Sequence, residues 1–147
     1  MRVMVIVKAS ADSEAGGMPD ARELAEMGKF NEKLAEAGVL LMAEGLQASS
    51  KGVRVRFDGK QRTVIDGPFA ETRELVAGFW LWQVRSMEEA IEWIKRAPLF
   101  DGGMEIELRP VAEMEDFGDA VTPETIREYE TKVLKKAAKL REKAAKH

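Results

Sequence analysis

Leu75-Val76-Ala77-Gly78-Phe79-Trp80-Leu81-Trp82-Gln83-Val84 is the longest strand-like run in the chain, and its reading decides the fold. Alternation puts Leu75, Phe79 and Leu81 on one face and Val76, Trp80, Trp82 and Val84 on the other. Both faces are apolar, the pattern of a strand covered on two sides. Arg2–Lys8 repeats it, with Val3, Val5 and Val7 opposed by Met4 and Ile6. In a two-layer sandwich, helices cover one face of a sheet and leave the other wet. Leaving tryptophans and aliphatics on a wet face forgoes roughly 1.5–3 kcal/mol per large side chain. A face of that kind normally marks an interface or a binding surface. The favoured reading is a homodimer, two sheets facing each other around a shared cavity. Folding of the C-terminal helix back over the face is the alternative.

Working outward, the periods alternate between strand and helix. Arg2–Lys8 reads as a strand and residues 9–19, small, polar and Gly-rich, as a loop. Asp20-x-x-Glu23 opens a helix as a capping box; Leu24, Met27, Phe30/Asn31 and Leu34 give its buried stripe, and Gly38 ends it. A second strand over residues 39–43 runs into Glu44-Gly45-Leu46-Gln47. Val53-Arg54-Val55-Arg56-Phe57 alternates strictly, which predicts one buried and one cationic face. Asp58-Gly59 then signals a hairpin with residues 61–65 as the return strand. Beyond residues 75–84, Ser86-x-x-Glu89 predicts a capping box for a helix with Met87, Ala90, Ile91 and Ile94 inward, stopping before Pro98. Met104, Ile106 and Leu108 alternate with Glu105, Glu107 and Arg109 as a last strand. Thr122-Pro123 opens a helix to the C-terminus. The order β-α-β, hairpin, β-α-β, helix predicts an α+β sandwich of the ferredoxin-like kind.

Composition narrows the chemistry. The 147 residues contain no cysteine, which removes disulfides, thiolate metal sites and a cysteine nucleophile. The one histidine is His147, so the usual acid/base group of neutral pH is missing from the body. No metal and no cofactor is expected. No run has membrane-spanning length, so a soluble, cytoplasmic protein with no membrane partner is the expectation. The net charge of −3 is uneven: residues 122–147 hold eight Lys/Arg and four Asp/Glu, residues 1–121 fifteen and twenty-two. An acidic body (residues 1–121) therefore carries a basic amphipathic helix (residues 122–147). That balance argues against a specific nucleic-acid partner. The tail's apolar stripe is Ile126, Tyr129, Val133, Ala137, Leu140 and Ala144.

The loop Asp66-Gly67-Pro68-Phe69-Ala70-Glu71-Thr72-Arg73-Glu74 is first of all a turn, in which Gly supplies unusual φ and Pro fixes the next. Together with Glu44-Gly45-Leu46-Gln47, Ser49-Ser50-Lys51-Gly52, Ala77-Gly78-Phe79-Trp80, Glu105-Ile106-Glu107-Leu108-Arg109-Pro110 and Glu115-Asp116-Phe117-Gly118, it carries a resemblance. Over residues 1–119 the chain resembles the DGPF branch of the YCII-related family. The resemblance implies a ferredoxin-like subunit pairing into a dimeric α/β barrel. It implies little about chemistry: most relatives are uncharacterised, some are fused to or encoded beside sigma factors, and a few distant ones are linked to hydrolytic or dehalogenating reactions. Distant relatives pair a histidine near the first helix with an aspartate. Met27 or a neighbour stands there in this chain, so no such pair can form. Ala48 stands where a proline is common.

The candidate site residues follow. Asp66 and Glu71 are the candidates for acid/base work, if burial in the inter-sheet cavity tunes a carboxyl; a structural ion-pair role is the alternative. Glu71 and Glu74 are three apart, on one face of a helical turn, with Arg73 beside them. Arg54 and Arg56 share a strand face, suited to anion recognition or to keeping an exposed hairpin soluble. Glu44, Gln47, Ser49 and Ser50 follow a buried strand and either bond a ligand at the cavity mouth or end the strand. The residues leave open an enzyme or binding protein for a small organic molecule, and a non-catalytic regulatory module associated with transcription.

Overall fold

Helix and strand alternate along the chain as the periodicity requires. In the computed structural model β1 (Arg2–Lys8) leads through α1 (Ala11–Glu14) and α2 (Ala21–Glu36) to β2 (Leu40–Gly45). The hairpin strands β3 (Val53–Asp58) and β4 (Gln61–Asp66) precede β5 (Val76–Gln83), and α3 (Met87–Ile94) precedes β6 (Ile106–Pro110). The structure describes residues 1–71, 74–99 and 103–145; Thr72, Arg73 and His147, named above, lie outside the described residues. Two compact units are present, Met1–Val111 and Ala112–His147.

The first unit holds a four-stranded sheet in the order β2-β5-β1-β6, all neighbours antiparallel. β1 and β2 thus run parallel on either side of β5, and β5 and β6 on either side of β1, each pair joined through a helix. This is an α+β architecture compatible with the ferredoxin-like arrangement. β3 and β4 form a separate two-stranded sheet.

Register sorts the side chains by face. Leu40–Trp82–Val3 and Ala43–Trp80–Val5–Leu108 are rows across the sheet, and these residues pack with Phe30, Leu34, Ala90 and Ile94 of α2 and α3. The tryptophans therefore lie beneath the helices, not on the opposite face. Trp80 Nε1 donates to Asn31 Oδ1 at 2.8 Å, whereas Trp82 Nε1 is buried with no hydrogen-bond partner among the described residues. Gly78 is required here: a Cβ on it would stand 2.9 Å from the Glu44 carbonyl oxygen of β2. The edge strand β2 carries an irregularity between Leu40 and Met42, and the other edge strand, β6, ends in Pro110.

Local signals hold with some corrections. The Asp20/Glu23 capping box of α2 is present on both sides, and Gly38 follows at φ +71°. Leu24 is exposed, because the packed part of α2 begins a turn later, with Met27. Ser86 caps α3, but the box is half-made, since the Glu89 carboxylate accepts from the Arg85 N–H instead. The segment expected to be loop throughout contains α1, capped reciprocally by Ser10 and Ser13. The largest correction concerns β3, all of whose side chains are exposed in the chain. A two-stranded sheet apart from the main sheet has no helix to cover it.

The second unit, taken by itself, holds a 3-10 stretch (Met114–Ala120), α4 (Pro123–Tyr129), a π-helical turn (Glu130–Lys135) and α5 (Lys136–Ala144). Thr122 caps α4 with Thr125 in return. The π turn interrupts the 3.6-residue period, and Leu134, like Tyr129, Val133 and Leu140, is exposed.

Candidate functional site

The face of the main sheet away from α2 and α3 follows from the same register. Across it run the rows Met42–Leu81–Met4–Arg109 and Glu44–Phe79–Ile6–Glu107. The middle of each row is apolar and half-buried; the ends are charged or exposed. At one rim the Glu107 carboxylate takes Arg109 at 2.7 Å and Lys8 at 3.7 Å. The Arg109 hydrogen bond holds the Glu107 carboxyl below its ordinary value of 4.5, against a smaller opposing effect of desolvation. At the other rim stands Glu44, exposed on β2.

A second cluster forms around Ser49, at the turn before the hairpin. Its N–H donates to Glu14 Oε1 at 3.0 Å and its hydroxyl to Glu14 Oε2 at 2.5 Å, a short charge-assisted bond. The same hydroxyl accepts the Phe69 N–H at 3.0 Å. Gly67 donates its N–H to the Gly52 carbonyl, and a Cβ on Gly67 would collide with the Ser49 carbonyl oxygen. The Phe69 ring lies under the Arg54 guanidinium, 3.8 Å from centroid to Cζ. Thus α1, the Ser49 turn and the loop after β4 are tied together at one serine.

The predicted residues divide accordingly. Ser49 is half-buried and bound to the loop that contains Glu71, whose carbonyl accepts the Glu74 N–H at 2.9 Å. Asp66 lies opposite Val53 at the base of the hairpin, and Arg56 opposite Thr63 further along it. Asp66, Glu71, Gln47 and Arg56 are all exposed in the chain. Glu44 alone of the six lies on the helix-free face. Glu14 escaped the sequence reading; the Ser10-x-x-Ser13 cap that builds α1 was the signal that could have placed it. The charged groove of about 380 Å³ lined by Glu26, Lys29, Lys33, Glu36, Arg96 and Pro98 lies along α2, away from both clusters. Among the described residues no group of three or more His, Asp or Glu is placed to hold a metal ion, and no helix is long and apolar enough to cross a membrane.

These features define an α+β domain with helices on one sheet face, an apolar opposite face rimmed by charge, and a serine-anchored loop. The chain belongs to the YCII-related family, whose domain model matches residues 1–115. It is 32% identical over 76 residues to an uncharacterised protein of Rhizobium meliloti (strain 1021), a match covering 52% of this chain. The matched stretch spans 61% of that relative's length.

Proposed function

We propose that the chain, as a DGPF-branch member of its family, binds a small organic molecule against the helix-free sheet face, in a cavity closed by a second copy. The observation that carries this reading is the apolar centre Met4, Ile6, Phe79 and Leu81, bounded by Glu44 on one side and Glu107 with Arg109 on the other. Pockets for small molecules have this make-up, an apolar lining with a few polar groups that orient the ligand. Glu44 is assigned to ligand contact on that face; Gln47, Ser49 and Arg56 as further ligand contacts, and Asp66 and Glu71 for proton transfer where turnover occurs, lie off it in their own chain and are assigned to the cavity from the second copy. No observation favours the transcription-associated module.

The test uses the anionic fluorophore 1-anilinonaphthalene-8-sulfonate as probe, with light scattering for mass. The wild type is expected to be dimeric and to bind the probe, and Leu81→Glu to weaken binding about tenfold or more. Equal binding by L81E would overturn the cavity. Unchanged affinity and stability in an Asp66→Asn, Glu71→Gln double variant would remove the proton-transfer assignment alone.

A further inference from the structure

The hairpin β3–β4 has a second feature that the sheet-face reading does not use. Directly paired residues share a face, so Val53, Val55 and Phe57 stand with Asp66, Val64 and Arg62 on one side, a charge at each end and apolar side chains between. On that side Val53 is 60%, Val55 47%, Phe57 70% and Val64 65% exposed. A two-stranded sheet by itself is marginal in water and needs a third layer to persist. Among the described residues, the rest of its own unit leaves this side exposed.

Charge identifies what does. Residues 51–66 hold five Lys/Arg and two Asp/Glu, while the remainder of residues 1–121 holds ten and twenty. A cationic arm therefore extends from an acidic body. The tail of residues 122–147 has eight Lys/Arg against four Asp/Glu, the same sign as the arm, so the acidic complement to the arm is the body. Size agrees as well. From their exposures, the four apolar side chains leave about 400 Å² uncovered, on a scale where one aromatic buries 150–250 Å². Two such arms and the surfaces receiving them would bury about 1,600 Å² in all, the size of a stable specific interface.

We propose that β3–β4 is an exchanged arm, whose Val53, Val55, Phe57 and Val64 face packs on the acidic body of a second copy. The inference rests on the dimer of the preceding section and deepens it. The arm is the part of each chain that crosses to its partner, and it carries Arg56 there. Arg62 lies on the packed face and Arg54 and Arg56 on the other, so the arm's excess positive charge acts on the partner's acidic body as an attraction that makes the association salt-sensitive.

Sedimentation velocity over a range of micromolar concentrations tests this with three proteins: the wild type, Val55→Thr/Phe57→Thr/Val64→Thr, and Leu81→Glu. Threonine keeps the strand preference of the hairpin while removing most of its apolar surface. Near-UV circular dichroism of Trp80 and Trp82 checks that the core is intact. The expected result is a dimer whose dissociation constant rises about tenfold or more in the threonine variant. A threonine variant that dimerises like the wild type would overturn the arm and leave the cavity standing. Dissociation by the threonine variant with L81E still dimeric would support the arm as the main contact, and equal probe binding by that dimeric L81E would overturn the sheet-face cavity alone. A wild type that stays monomeric overturns both. Retention of a mixed-sequence DNA duplex by such a monomer would assign the cationic arm to nucleic acid instead.

Discussion

Trp80 and Trp82 differ by one hydrogen bond. Both indoles lie beneath the helices, with centroids 5.8 Å apart, and each meets the Phe30 ring edge-on. Trp80 gives its N–H to Asn31, whereas Trp82 buries an N–H with no acceptor among the described residues. An unsatisfied buried donor costs about 1–3 kcal/mol, so Trp82→Phe removes a liability along with its ring volume. Trp80→Phe removes a made bond and leaves Asn31 unpartnered. Trp82→Phe is therefore expected to be the less destabilising of the two in urea titrations followed by the remaining tryptophans; the reverse order would refute the argument. Alternation in the sequence separated Trp80 and Trp82 from Phe79 and Leu81. It could not say which set faced the helices, because both sets are apolar. The acceptor for Trp80 was in view beside Phe30, but its pairing depends on how α2 sits over the sheet, which no local pattern carries.

At the scale of elements, the loop after β4 shows how one small residue sets a contact. The approach of Gly67 to the Ser49 carbonyl leaves no room for a methyl group. Gly67→Ala must push the loop off the turn, at a cost of about 1–3 kcal/mol by the usual range for overpacking. The Ser49–Phe69 hydrogen bond would open with it. A lower melting temperature together with faster exchange of the Phe69 amide is the expected outcome; loss of neither would show that the loop is not held there. The loop's turn character was plain from Asp66-Gly67-Pro68, and the hairpin from Asp58-Gly59, where Gly59 has φ +54°. Its anchor was not plain, since Glu14 lies 35 residues before Ser49 and on a four-residue helix. The misreading of β3 has a similar origin. Strict alternation says that the two faces of a strand differ, but whether anything covers the apolar one is a tertiary fact. Here the hairpin stands outside the main sheet.

At the scale of the whole molecule, two glutamates contribute to the response to acid. The Arg85 backbone N–H, aided by the Arg85 side chain, lowers the Glu89 carboxyl below 4.5, against a smaller opposing effect of desolvation. Glu107 is lowered by Arg109 and Lys8. A carboxyl held lower in the folded than in the unfolded chain adds stability above its unfolded value, and that stability is lost as pH falls through the folded one. Thermal stability is thus expected to hold from pH 7 to about 5 and to drop below about 4.5. Glu107→Gln should flatten part of the drop, and an unchanged profile in that variant would exclude its contribution. At this scale the sequence was most legible. The split between an acidic body and a basic tail, and the strand–helix order, both follow from residue counts and periods. The two edges of the main sheet carry a last consequence. β2 is kinked by its irregularity near Leu41, and β6 closes on a proline that offers no N–H to a further strand. Both edges are thereby blunted against the open-ended strand addition that turns sheets into fibres. An apolar sheet face can then persist without inviting unlimited polymerisation through the main sheet's own backbone edges.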